Sequence, residues 1–388
     1  MIRQLCSGLF GTLAIFFAMI STSASTLAQG TLTYQALKIP ESGTNIISPH
    51  GLAYNNVLVG SAVAYRGGPP TALLRFPAHG APSPSGPSYM YYTYPDNSAN
   101  PTVFSAINRN GVIVGNAGSS GNPRGVSFIY NNGTYTPYQI SNFDTALSGI
   151  NTQGELVGNI GNGTSGFLQD TNKIISFYTM PNSNVIFPAG INDNGWIVGG
   201  YLASTKAIDA VNYYVQAYHA FAIVNGGMYN IDPGGFGSNT FIATGINNNG
   251  QVSIITADPA SAHPQANTYQ VSSYLLDLNT LFRGDPSYYN QVLLNFSSYS
   301  INVSTLNDDG YIAGTYDLQP DQLYQGFMAG PQGAMPQAIK GRAIGSAKDS
   351  LSIDGLKLGP GHPRYLGEAK FIRAGVTANQ RPRLSPSR

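Results

Sequence analysis

Short runs in which apolar and polar residues alternate follow one another along this chain, each broken by Asn, Asp or Gly. That is the pattern of half-buried strands joined by tight turns. One phrase recurs within it. Asn108-Arg109-Asn110-Gly111 is preceded by Ala106-Ile107 and followed by Val112-Ile113-Val114-Gly115. The same order returns at 151–154, 192–195 and 247–250, more loosely at 307–310, and in degenerate form over 52–60. The Asn starts an Asx-type turn, the Gly takes the positive φ of a hairpin with a bulge, and the β-branched run after it fits a strand. Gly60, Gly115, Gly158, Gly199 and Gly314, which close those strands, predict a bulge or a close backbone approach.

A second hairpin follows most phrases. Residues 125–130 turn at Asn131-Asn132-Gly133 into 134–140, residues 165–169 return through 174–178, and 219–224 turn at Asn225-Gly226-Gly227 into 228–231. Two hairpins make four antiparallel strands per repeat. The phrase asparagines are spaced by 43, 41, 55 and 60 residues, and the shorter spacings are the size of a propeller blade. The expected fold is all-β: a β-propeller of about six four-stranded blades, with five or seven blades, or an open β-solenoid, as the alternatives. Residues 31–39 are expected to supply the fourth strand of the last blade, whose own strands run over 300–329, and so to close the ring. The extra length in 203–218, 257–270 and 283–288 reads as loop insertions.

Composition adds a compartment and a boundary. Arg3, the apolar residues 9–20 and the stretch Thr26-Leu27-Ala28 are laid out as a secretory signal cleaved after Ala28. Its apolar run is shorter than the roughly 20 residues of a membrane span, and the rest of the chain holds no such run. Cys6, the sole cysteine, lies within the signal, so the mature chain would have neither disulfides nor thiol chemistry. Residues 1–338 carry nine Lys/Arg against 15 Asp/Glu, whereas 339–388 carry ten against three. The basic end, with Gln380-Arg381-Pro382-Arg383, reads as disordered. The division is therefore a signal peptide at 1–28, a repeat propeller domain at 29–335 and a basic tail at 336–388. Only 10 % of residues are charged, whereas Gly and Tyr abound, which suits a secreted or cell-surface β protein better than a helical cytosolic enzyme.

The phrases, paired with His219-Ala220-Phe221, resemble those of the HAF-repeat family of extracellular bacterial proteins. Gly166-Phe167-Leu168 and Gly326-Phe327-Met328 keep the aromatic of that motif and lose its histidine. The resemblance runs over residues 45–330 and leaves out the tail. It implies a secreted, repetitive β protein and brings no catalytic residues with it.

Candidate chemistry is sparse. His50, His79, His219, His263 and His362 show no short metal-ligand spacing, so neither a metal nor a cofactor is expected. His219 reads as a strand residue and His50 as a loop residue without an obvious partner. Asp193 and the pair Asp308-Asp309 offer oxygens for calcium, but the spaced carboxylates and closing Glu of an EF-hand are missing. The body holds only Glu41 and Glu155, so a glycoside hydrolase would need a pair of Asp residues. No nucleophile elbow or phosphate loop occurs. Tyrosine clusters remain, at Tyr89, Tyr91, Tyr92, Tyr94, Tyr213, Tyr214, Tyr218, Tyr288 and Tyr289, as packing between blades or as a contact surface. Two functions follow. The favoured one is a secreted, non-catalytic scaffold that binds an extracellular glycan or protein, with no nucleic-acid partner. The alternative is an extracellular carbohydrate-active enzyme, glycosidase- or lyase-like, using Asp residues on channel loops. No catalytic, cofactor-binding or metal residue is assigned, and the ligand-binding residues are unknown.

Overall fold

A computed structural model describes residues 30–39, 45–64, 70–76, 88–95, 101–118, 125–141, 143–180, 183–207, 214–233, 240–263, 268–285, 288–318, 325–331, 364–369 and 372–377. In each full phrase the Gly N–H bonds back to the Asn carbonyl, while the Asn N–H reaches the carbonyl four residues on. At Asn108 these bonds are 3.1 and 3.0 Å, and Gly111 has φ +77°. The result is a type I turn closed by a left-handed residue. The degenerate copy makes the same turn with Ala53 in place of the Asn and Asn56, at φ +59°, in place of the Gly.

Strand β1 (Gly30–Lys38) comes first in sequence and pairs last. Next come β2 (Asn45–Leu52), β3 (Leu58–Ala64), β4 (Thr71–Phe76) and β5 (Ser88–Tyr92), which form one antiparallel sheet. A second sheet holds β6 (Thr102–Ile107), β7 (Ile113–Ala117), β8 (Val126–Asn131) and β9 (Thr134–Tyr138). A third holds β10 (Thr145–Ile150), β11 (Leu156–Ile160), β12 (Ser165–Gln169) and β13 (Ile174–Tyr178). A fourth holds β14 (Ile186–Ile191), β15 (Ile197–Ala207), β16 (Tyr214–Val224) and β17 (Gly227–Asn230).

The last sheet is larger. It joins β18 (Thr240–Ile246), β19 (Gln251–His263), β20 (Thr268–Asp277) and β21 (Tyr289–Leu294) to β22 (Ser300–Leu306), β23 (Ile312–Asp317) and β24 (Gln325–Pro331). The link is β1, antiparallel to β24 and parallel to β21. A short helix, α1 (Leu278–Phe282), follows β20 and is capped by the Asp277 carboxylate. Finally β25 (Arg364–Glu368) and β26 (Ile372–Thr377) add to the outer edges of β17 and β13.

The all-β expectation holds, and so does the pairing of the N-terminal strand with the last repeat. The hydrogen-bonded sheets among the described residues do not number six, however. Four are small and one has eight strands, because β1 bonds strands on both of its sides. The strands leading into the phrases, β2, β6, β10, β14, β18 and β22, each touch the next, and β22 touches β2. The sheets thus form a propeller-like ring, where an open solenoid would leave its ends apart.

Two readings of irregular segments are corrected. Over 203–218 and 257–270 the described residues are not loops but extensions of hairpins, with Ala207 opposite Tyr214 and Ala257 opposite Val271. The segment 336–388 is not disordered throughout, since β25 and β26 lie in it; its other stretches, and the signal segment 1–28, fall outside the described residues, apart from Ala369.

Apolar side chains pack between neighbouring sheets. Tyr94, Phe128 and Tyr135 form one such contact, with ring centroids 5.2 to 5.6 Å apart. Of the clustered tyrosines, Tyr94, Tyr288 and Tyr289 are buried in the core, Tyr89 and Tyr92 are half-buried, and Tyr91 is exposed. Tyr218 packs on Phe187, and Tyr213 lies outside the described residues.

Candidate functional site

At the centre of the ring the phrases converge on one cavity. Each strand that enters a phrase breaks register at a single residue, and in five cases the break starts opposite a closing glycine: Pro49 faces Gly60, Phe104 Gly115, Leu147 Gly158, Pro188 Gly199 and Val303 Gly314. A Cβ on Gly158 would lie 2.0 Å from the Ala146 carbonyl oxygen, so no larger residue fits without a shift. The extra residue turns its side chain out of the ladder. These residues are His50, Ser105, Ser148, Ala189, Thr244 and Ser304. The first five line the cavity. Thr244 Oγ1 donates to the Val303 carbonyl at 2.7 Å, and Ser304 Oγ to that of Pro49 at 2.6 Å, joining each strand to the next.

The phrase asparagines form a second, buried tier. Asn108 Nδ2 donates to the Asn151 carbonyl (2.8 Å), Asn151 to Asn192 (3.2 Å), Asn192 to Asn247 (3.1 Å) and Asn247 to Asn307 (2.9 Å). Asn307 then reaches the Ala53 carbonyl at 3.2 Å and Asn56 Oδ1 at 3.0 Å. Ala53 has no side chain with which to pass the bond on to Asn108. Each asparagine also accepts backbone N–H bonds within its own turn, as from Asn194 and Trp196 at Asn192, both 3.0 Å.

The residues after these asparagines make the mouth. Asp193 accepts from Thr152 N (2.8 Å), Thr152 Oγ1 (3.0 Å) and Asn248 Nδ2 (2.8 Å). Asp308 accepts from Asn248 N (2.7 Å), Asn248 Nδ2 (3.0 Å) and the Arg109 guanidinium. Arg109 reaches Asp308 across the place where the Ala53 turn lacks its amide, and lies 5.3 Å from the Tyr54 ring centroid. Asp309 is raised above the usual carboxylate range by burial and by Asp308, with Arg109 opposing.

Sharing one amide nitrogen brings the Asp193 and Asp308 carboxylates within about 6 Å, close to the separation of paired carboxylates in glycoside hydrolases. Both already accept three or more hydrogen bonds, and the cavity is about 110 Å³. That volume holds only a few waters at about 30 Å³ each and falls below the roughly 300 Å³ of small ligand sites.

The histidines are placed differently from their sequence reading or more definitely. His50 is in β2, not in a loop, and its Nε2 lies 3.1 Å from Ser61 Oγ; burial lowers its pKa to about 4. His219 is a strand residue, as expected, with Nδ1 on the Asp232 carboxylate, which also accepts from Ala220 N at 2.7 Å. The residues that sequence reasoning missed are the bulge residues and Arg109. The glycine opposite five of the bulges was the available signal for the former. No group of three or more His, Cys, Asp or Glu side chains that would hold a metal occurs among the described residues. No helix among them is long and apolar enough to cross a membrane.

A larger hollow, about 650 Å³, opens elsewhere, where β20 and β21 meet the turn at 295–299. Val271, Leu294, Phe296 and Ile301 line it, with Leu293, 39 % exposed, at its wall. No family model, curated protein or solved structure matches the chain.

Proposed function

We propose that this chain is a secreted, non-catalytic scaffold with six propeller blades that binds an extracellular glycan or protein through its outer surfaces. The eight-stranded sheet is then two blades, β18 to β21 and β22 to β24 with β1, fused edge to edge through the parallel β1–β21 pairing. The six phrase-bearing strands in mutual contact support that count. The likeness of the phrases to HAF-repeat proteins belongs to the same reading.

The observation that carries the function is the state of the central cavity. Its carboxylates, amides and guanidinium are bonded to one another, and it is smaller than a usual ligand site, which supports the reading that its polar groups serve ring closure. Contact area lies outside instead: the 650 Å³ hollow has a size suited to a ligand, and Met90, Tyr91 and Phe143 are each more than 40 % exposed. The full chain is expected to be retained by an immobilised glycan or protein partner without releasing new reducing ends from any polysaccharide. Release of reducing ends that disappears in Asp193→Asn and Asp308→Asn would establish the carbohydrate-active enzyme instead.

A further inference from the structure

Arg75 lies in the contact between β4 and the last repeat, 9 % exposed. Leu58 faces it on β3 and Tyr89 on β5, and directly opposed residues share a sheet face. That face meets Leu73, Ala313 and Met328, all buried. A guanidinium among such side chains is expected to have a carboxylate, because burying an unpaired charge is strongly unfavourable. None is present. Among the described residues the ion pairs are Arg109–Asp308 and His219–Asp232, and the sole polar contact of Arg75 is Nη1 to Met328 Sδ at 3.9 Å. Arg75 Nε and the hydroxyl of Tyr89 are both buried without a hydrogen-bond partner.

Both orphans are donors, on adjacent strands and the same face, so the missing group is an acceptor. An oxyanion supplies several lone pairs and a charge at once, and planar carboxylates and tetrahedral sulfates match the guanidinium fork. We propose that Arg75 and Tyr89 form a binding site for a carboxylate or sulfate group, entered at the edge where Arg75 still meets solvent. Tyr91, two residues beyond Tyr89 and therefore on the same face, is 41 % exposed. Its ring offers a flank for the apolar face of a sugar that carries such a group. The site needs no polymer to fill it, and it gives the binding reading above an anionic partner.

Two sources share this chemistry, a free small anion and an acidic polysaccharide, and the test separates them. Thermal unfolding of the full chain is followed with sodium sulfate, sodium glucuronate or polyglucuronate, each against sodium chloride at equal ionic strength. Wild type is expected to gain about 5 °C near a hundredfold excess over Kd. Arg75→Met, of similar length and suited to the apolar contact, is expected to fold, to be at least as heat-stable without anion, and to lose the gain. Tyr89→Phe, which removes one oxygen, is expected to weaken binding about tenfold. A polymer that binds at least tenfold tighter than its monomer identifies the acidic polysaccharide, and equal affinities identify the free anion. If wild type gains no more than in chloride, or Arg75→Met gains as much as wild type, the site is overturned. Protection by sulfate and glucuronate without retention on any glycan or protein would leave the site standing and sink the scaffold reading instead.

Discussion

Asn192 is 3 % exposed, and its amide is used on both sides: Oδ1 takes two N–H groups of its own turn, and Nδ2 holds the Asn247 carbonyl. Removing it leaves buried groups without partners, whereas Arg109, 46 % exposed, forms an ion pair screened by water. In urea unfolding, Asn192→Ala is therefore expected to lose about 2 to 4 kcal/mol, and Arg109→Ala less than about 1 kcal/mol. Asn192→Asp keeps the acceptor and lacks the donor, so a loss close to that of Ala would assign the stability to the bond between repeats. The titrating side chains set a different balance. Burial lowers His50 from 6.5 to about 4, so its contribution is complete above pH 6.5 and is lost as pH falls through 4. Burial raises Asp317 from 3.8 to about 6, so its contribution is complete below pH 3.8 and is lost as pH rises through 6. The two slopes oppose each other between pH 4 and 6. Asp317→Asn leaves only that of His50, and its stability is expected to fall more steeply than wild type on acidification over that window. Equal slopes in the two proteins would show that Asp317 is not the counterweight.

At the scale of elements, the hairpins were legible because their signals are local. Asn108 and Gly111 specify a turn whatever surrounds them, and Asn132-Gly133 and Asn225-Gly226 adopt the paired positive φ angles that such turns require. The bond from each asparagine to the next repeat was not legible, since its partner lies 41 to 60 residues away, or 254 where Asn307 reaches Ala53, and is a backbone carbonyl, which every residue carries. The bulge residues escaped for another reason: Ser105, Ser148, Thr244 and Ser304 share a hydroxyl, but His50 and Ala189 break the pattern and share with them only the position. Residues 203–207 and 214–218 looked like loops because strands running beyond the ring lack one consistently apolar face. The tail strands hid within a basic composition. Their placement has a measurable effect, because they cover the outer edges of β13 and β17. A chain stopped after residue 331 is expected to keep its fold and to associate through those edges, which sedimentation or size-exclusion chromatography would reveal. A chain that stays monomeric at the same concentration would show that other features guard them.

At the scale of the molecule, closure depends on β1, which holds β24 on one side and β21 on the other. Deleting residues 30–39 is expected to abolish a single cooperative unfolding transition, read by circular dichroism, because two sheet edges then open at once. An unchanged transition would place closure in the side-chain bonds at the centre. The asparagine bonds among them run one way round the ring: Asn108, Asn151, Asn192 and Asn247 each donate to the carbonyl of the next phrase in chain order, and Asn307 donates on to Ala53 of the first. The molecule therefore has a direction of circulation, like a line of people each holding the shoulder ahead. A ring cut at any link has one lip that gives and one that takes, and it reseals only head to tail. Two opened copies would meet by the same rule, joining into a wider circle or an endless helical row and never into a face-to-face pair.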